Sequence, residues 1–325
     1  MLSRVADAIY WLCRYIERAE NVARFVDVNR YLMMDLPDSQ SGEWKSIITV
    51  TGDHKFFLER FDEATEENVI HFLTFDPENP NSILSCVRSA RENARSIREI
   101  ISSEMWEQVN RFYLMVTDPG AKDFATSHPH EFYENVKMAS HLFTGLCEGT
   151  LTHSEGWHFT RLGRFIERAD KTSRILDVKY FILLPEPGYV GSPYDSLQWA
   201  AVLKSASALE MYRKRHHRIT PGSVVDFLIL DSEFPRAIHY CLINAERAVH
   251  GINGSPLGTS RDDVERKLGK LRSDLDFSDV NEIMDYGLHE YLDGLQVKLN
   301  DVGETVFNQY FALRPLETSL TQRMS

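Results

Sequence analysis

Two charged phrases carry the residue types that could do chemistry here. RYIERAENVARFVDV spans residues 14–28, and RFIERADKTSRILDV spans 164–178, a shift of 150 positions. Each contains R-x-x-E-R-A: Arg14, Glu17 and Arg18 in the first, Arg164, Glu167 and Arg168 in the second. Glu17 and Glu167 are the candidate acid/base groups, since a positioned carboxyl can give or take a proton. The arginines suit an anion, because a planar guanidinium grips an oxyanion with two parallel bonds.

Over residues 12–28 and 162–178, nine of 17 positions are identical. Chance gives about one, so an internal duplication is expected. On a helix at about 100° per residue, the apolar side chains share one face. Arg14 and Arg18 flank it on one side; Glu17, Glu20, Arg24 and Asp27 lie on the other. The second phrase repeats this with Arg164 and Arg168, then Glu167, Asp170, Arg174 and Asp177. All six charged positions hold their sign, whereas Asn21 becomes Lys171, Val22 becomes Thr172 and Cys13 becomes Gly163. A solvated face with ordinary (i, i+4) pairs is the plain alternative. Like-charged Arg14/Arg18 and Arg164/Arg168, however, cost stability unless something negative lies beside them. That partner is either internal, each glutamate crossing to the opposite phrase, or external: a phosphate, a carboxylate-bearing metabolite or an acidic segment.

A second basic stripe, Arg88, Arg91, Arg95 and Arg98, recurs at steps of three and four. It either bridges to the acidic flank of the first helix or holds a ligand with it. In LDSEFPRA (230–237), Ser232 reads as a helix cap with Pro235 early in the helix, and Arg236 is placed to turn towards the motif helices. Glu155 and His158 form one Glu-x-x-His, whereas a di-iron bundle needs two such motifs and two further glutamates, so no metal is expected. His216 and His217 sit in the basic run YRKRHHR. No GxGxxG, Walker loop or GxSxG occurs, so no cofactor is expected either.

The elements that position these residues read as helices almost throughout. The 325 residues are 43% hydrophobic and 26% charged, ordinary for a globular protein. A net charge of −12 argues against a nucleic-acid partner. Cys13, Cys86, Cys147 and Cys241 lie in apolar patterns without a CxxC, which suits reduced core thiols and a cytoplasmic setting. Asp7 and Arg14 interrupt any leader-like apolar run, and no stretch is apolar enough to suggest a membrane span. Apolar spacing predicts long helices near 2–35, 81–102, 123–150, 155–183, 234–251, 260–275 and 279–313. SIITVT (46–51) is the one strand candidate. Pro/Gly clusters at 36–42 and 184–196 follow the two charged helices. The expected architecture is an all-α helical bundle, one unit over 1–325, in two pseudo-symmetric halves (1–150 and 151–325), each opening with a long motif helix. A weaker echo pairs CVRSARENARSI (86–97) with IHYCLINAERAV (238–249).

The chain resembles the alpha-E family, an all-helical domain named for its Glu-Arg motif. The resemblance rests on WLCRYIERAENVAR (11–24), GTLTHSEGWHFTRLGRFIERAD (149–170) and FLILDSEFPRAIHYCL (227–242) and covers nearly the whole chain. It implies bacterial neighbours: a circularly permuted ATP-grasp ligase, which joins a carboxylate to an amine, and a transglutaminase-like protein. The resulting expectation is a binding or assembly component of an amide-ligating or peptide-processing system. Its Glu/Arg-rich centre would hold an anionic group, an anionic metabolite or a peptide end through Arg14, Arg18, Glu20, Arg24, Arg91, Arg95, Arg164, Arg168, Asp170, Arg174 and Arg236. Two alternatives stand beside it: an enzyme of that pathway using Glu17 or Glu167, and a scaffold whose Glu-Arg pairs clamp helices together.

Overall fold

Apolar residues three and four apart wind the chain around two long helices. α1 (Ser3–Met34) buries Ile9, Leu12, Ile16, Ala19, Ala23 and Val26. α9 (Glu155–Ile182) buries Phe159, Leu162, Ile166, Ala169 and Leu176. In this computed structural model, residues 1–34, 44–182 and 193–312 are described; they hold sixteen α-helices and no strand. Among them, no helix is long and apolar enough to cross a membrane.

α1 and α9 lie side by side and run in the same direction. The Met1 ammonium meets Glu155, Gly163 lies against Tyr10, and Glu17 reaches Arg168. At Gly163 the two backbones nearly touch: a Cβ there would sit 2.4 Å from the Tyr10 carbonyl oxygen. Each long helix heads a ring of four. α1 packs on α5 (Ile83–Ser96) and α8 (Pro129–Thr150), which α6 (Ser103–Thr117) joins. α9 packs on α13 (Ile238–Asn253) and α16 (Leu288–Val306), which α14 (Asp263–Asp276) joins. Shorter helices fill the corners: α2 (Trp44–Thr51), α3 (His54–Leu58), α4 (Glu66–Thr74), α7 (Ala121–Ser127), α10 (Pro193–Ser205), α11 (Leu209–Arg215), α12 (Pro221–Ile229) and α15 (Val280–Tyr286). A π-helical turn, Phe307–Phe311, follows α16.

Several expected boundaries move, each for a local reason. The strand candidate is helical: Trp44, Ile47 and Ile48 of α2 are buried along one helical face. The expected helix 81–102 ends at Ser96, residues 97–101 form turns, and Ser102 caps the next helix, its hydroxyl accepting the Met105 N–H. Pro129 splits 123–150 into α7 and α8, and Gly287, at φ 107°, splits 279–313 into α15 and α16. α13 starts at Ile238, so Ser232 is not its cap. Asp231 instead accepts the Glu233 and Phe234 N–H groups and winds 231–237 into turns. The cluster 36–42 and residues 184–192 of the second Pro-rich stretch lie outside the described residues, as do positions 35, 183 and 313 of the expected helices.

Candidate functional site

The two motif glutamates face each other's helices. Glu167, 0% exposed, accepts from Arg14 Nε (2.8 Å) and from both Nε and Nη2 of Arg18 (2.7 and 3.1 Å). Glu17 is gripped the same way by Arg168, through Nε and Nη2, each at 2.8 Å. These cross-helix bonds join residues 149 to 153 apart, close to the 150-residue spacing of the two phrases. Burial opposes a charged carboxylate. Arg18, Arg14 and Lys171 overcome that at Glu167 and hold its pKa far below the usual range. At Glu17, Arg168 and Arg236 lower the pKa against both burial and the neighbouring Glu20.

A further cation serves each glutamate, and it comes from a different place in each case. Lys171, on the turn after Glu167, stands 3.5 Å from it. The matching position beside Glu17 is neutral Asn21, whose amide donates to Glu17 (3.2 Å). There the cation is Arg236, buried before α13 and bonded to Glu17 (3.3 Å) and to the Asn21 oxygen (3.2 Å). The residue before α5 that faces Arg18 is Asn81, 2.8 Å away. So Lys171 goes with Asn81, and Asn21 goes with Arg236.

The outer acids are also paired. Glu20 binds Arg24 (2.7 Å), Arg236 and the Ser140 hydroxyl (2.7 Å). Burial again opposes its charge, and Arg236 and Arg24 drive its pKa far down. Arg236 itself is lowered to about 10 by burial, against the pull of Glu20, with Arg24 and Arg168 adding to the fall. Arg24 also donates to Ser207 and lies 3.1 Å from His141 Nε2. Asp170 takes Arg174 and Lys171, each at 3.0 Å, on one oxygen, while its other oxygen is buried without a partner among the described residues. Its pKa falls to about 2, because Lys171 and Arg174 outweigh burial. Asp27 meets Lys137 and His130, and Asp177 meets His289.

Three expected residues make no bond within this centre. Arg164 does not cross to Glu17; it binds Glu148 of α8 at 2.7 Å. Arg91 binds Asn110 and lies over Tyr113, stapling α5 to α6, while Arg95, with its side chain 65% exposed, pairs with Glu92. The arginine stripe therefore does not reach the acidic flank of α1, because α5 turns that edge towards α6. Asn21, Asn81, Ser140, His141, Lys171 and Ser207 also belong to the centre, and no motif in the sequence singles them out. The change of Asn21 to Lys171 looked like drift. The visible signal was DPENPNSILSC (76–86) against DSEFPRAIHYC (231–241) at a shift of 155, which sets Asn81 opposite Arg236. The echo read at 86–97 and 238–249 has its register three residues off.

Space around the centre is uneven. Beside Glu17, between Cys13, Cys147, Thr160 and Arg164, it holds about 10 Å³, no more than one water. On the other side, α1, α9 and α16 enclose an open cleft of about 340 Å³. Its walls include Trp11, Arg14, Asp170, Glu304 and Phe307. Arg14 uses Nε on Glu167 and Nη1 on the Tyr10 hydroxyl and lies 4.8 Å over the Trp11 ring; Nη2 has no partner among the described residues. The exposed Glu304 likewise has none. The π-helical turn sets Phe307 and Phe311 on the rim, a distortion that recurs at functional sites.

An all-helical protein built on two reciprocal, buried Glu-Arg pairs is thus the class these features define. The particular family follows: residues 1–311 match Alpha-E, described as "a predicted alpha-helical domain with a conserved ER motif", and the chain belongs to it. It is similar to an uncharacterised protein of Mycobacterium bovis and to uncharacterised proteins of two Mycobacterium tuberculosis strains. Each is 23% identical over 336 residues, covering 95% of this chain and 37% of the relative. The chain therefore spans little more than a third of the length of these relatives. No solved structure matches it.

Proposed function

We propose that this protein is a binding and assembly component of an amide-ligating or peptide-processing system, working beside an ATP-grasp ligase and a transglutaminase-like protein. The Glu17/Glu167 centre acts as its rigid hub, and the cleft beside it holds the amino end of a peptide. The observation that carries this is the cleft floor. It joins the motif residue Arg14 to the exposed Glu304, so one wall offers an N–H donor for a peptide carbonyl and another offers a carboxylate for an ammonium. Trp11 and Phe307 supply the apolar side and a ring face that attracts cations. Glu17 and Glu167 are spent on arginines and stay ionised at neutral pH, which favours the hub over an acid/base role.

The two-half organisation, 1–150 and 151–325 within one unit, belongs to the same proposal. Support comes from the two rings of four helices and from matching contacts. Arg60 pairs with Asp76 as Arg215 pairs with Asp231, and Thr65 caps α4 as Thr220 caps α12. The four free, buried thiols fit a cytoplasmic setting.

Calorimetry with trialanine and N-acetyl-trialanine tests the cleft. Binding of the free peptide, weakened about tenfold by acetylation and by Glu304→Lys, supports it. Equal binding of the two peptides sinks it. For the system, a reconstituted ATP-grasp ligase from the same genome should lose activity or substrate choice when this protein is withheld; unchanged turnover sinks that part.

A further inference from the structure

A second concavity, remote from the motifs, lies between α14, α15 and α16. It is a groove of about 600 Å³. Leu271, Leu275 and Leu295 form its floor, and Phe277, Tyr286 and Tyr291 rise along its sides. Phe277 is 87% exposed and Tyr286 70%, although each ring would gain by leaving water. Aromatic rings left in water around an apolar trough mark a surface that something else covers.

The helix beneath the groove gives an independent sign. Gly294 lies in the middle of α16 and lines the trough, and a Cβ there would meet nothing within 4 Å. A glycine inside a helix costs about 1 kcal/mol relative to alanine. No neighbouring group requires that bare backbone. What it does is leave the trough deep enough for a side chain from elsewhere.

The rim states the chemistry of the occupant. From Asp274 to Asp293 there are seven acidic residues and neither lysine nor arginine. Asp274 and Glu290 line the groove, and its one cation, Lys298, is engaged with Asp274. Glu282, Asp285 and Asp293 stand exposed close by in sequence. Such a field attracts a basic partner and repels an anionic one.

We infer that this groove docks a basic amphipathic helix of a partner protein, with apolar anchors over Gly294 between Phe277 and Tyr291 and lysine or arginine side chains against the acidic rim. A trough flanked by two helices is the shape that receives a third, through anchors spaced three and four residues apart. A second copy of this chain fits poorly: it carries the same net −12, and a two-fold contact would set acidic rim against acidic rim. An anionic membrane is repelled for the same reason.

The test uses the full chain and a fluorescent Leu/Lys amphipathic helix of about five turns as the probe. A scrambled peptide of equal composition and a Leu/Glu version serve as controls. Anisotropy at physiological salt should show the Leu/Lys helix binding at least about tenfold tighter than either control. Gly294→Trp, which fills the trough, and Glu290→Lys, which reverses the rim, should each remove about tenfold in affinity while melting like the parent. Three results overturn the inference. In one, the probe does not bind. In another, it binds both variants as well as the parent. In the third, the parent self-associates or sediments with phosphatidylserine vesicles and Gly294→Trp abolishes it.

Discussion

Glu167 shows how much one buried charge can hold in place. Three cations, Arg14, Arg18 and Lys171, converge on a carboxylate sealed from water. Replacing it with glutamine leaves them facing one another, and breaking such a cluster costs about 3–5 kcal/mol. A urea titration of Glu167→Gln should show that loss, whereas Glu304→Gln, at an exposed unpaired position, should change stability little. The exchange of neutral and cationic partners makes a sharper prediction. Asn21→Lys alone puts a lysine beside Arg236 and should destabilise. Adding Arg236→Asn reproduces the Lys171/Asn81 arrangement and should restore about 1–3 kcal/mol as a coupling energy. Additive effects in that double-mutant cycle would refute the exchange. The exchange was hidden in the sequence because it couples positions 215 apart, and neither substitution makes sense without the other. The charged phrase was legible because its signs were kept over a regular helical period. What it faces was not legible, since a helical period fixes which residues share a face and not which neighbour covers it.

At the scale of elements, the contact between α1 and α9 depends on the missing side chain at Gly163. Gly163→Ala drives a methyl group into the Tyr10 carbonyl and should cost about 1–3 kcal/mol by separating the helices. Gly145, exposed on α8 with open space around it, provides the contrast: Gly145→Ala should stabilise by about 0.5–1 kcal/mol through helix propensity. Melting curves of the two variants should move in opposite directions. Helix existence was readable in the sequence from apolar periodicity alone. Helix ends were missed even where a proline or glycine stood at the break, as at Pro129 and Gly287, because a long apolar period ran on through them. They were missed also where a serine hydroxyl or an aspartate did the work, as at Ser102 and Asp231.

For the whole molecule, the acids of the centre set the response to pH. Glu17, Glu20 and Glu167 are held below their ordinary value of 4.5, and Asp170 falls to about 2 from 3.8. A lowered folded-state pKa means the unfolded chain binds protons first. The stabilisation is therefore complete above the unfolded values and drains away as acid approaches the folded ones. Melting temperature should stay level from pH 7 to about 5 and fall steeply below about 4.5, and Glu20→Gln should flatten that fall. A scan at constant ionic strength checks it; an equally steep fall in the variant would assign the acid sensitivity elsewhere. The thiols give a complementary measurement. Burial pushes Cys86 and Cys241 up to about 12, and Cys13 and Cys147 are buried as well. Dithionitrobenzoate should find no thiol in the native protein and four in denaturant.

The side-by-side, same-direction placement of α1 and α9 bears on how the molecule is made. A ribosome releases Glu17 and Arg18 long before Arg168 and Glu167 exist, and at about 5–20 residues per second the wait lasts roughly eight to thirty seconds. Through that interval Glu17 and the arginines beside it lack their partners on α9, although Asn81, Lys137 and Ser140 already stand ready for Arg18, Asp27 and Glu20. Nascent chains stalled before residue 168 should be digested readily by protease, and resistance should appear abruptly once the second helix has cleared the exit tunnel.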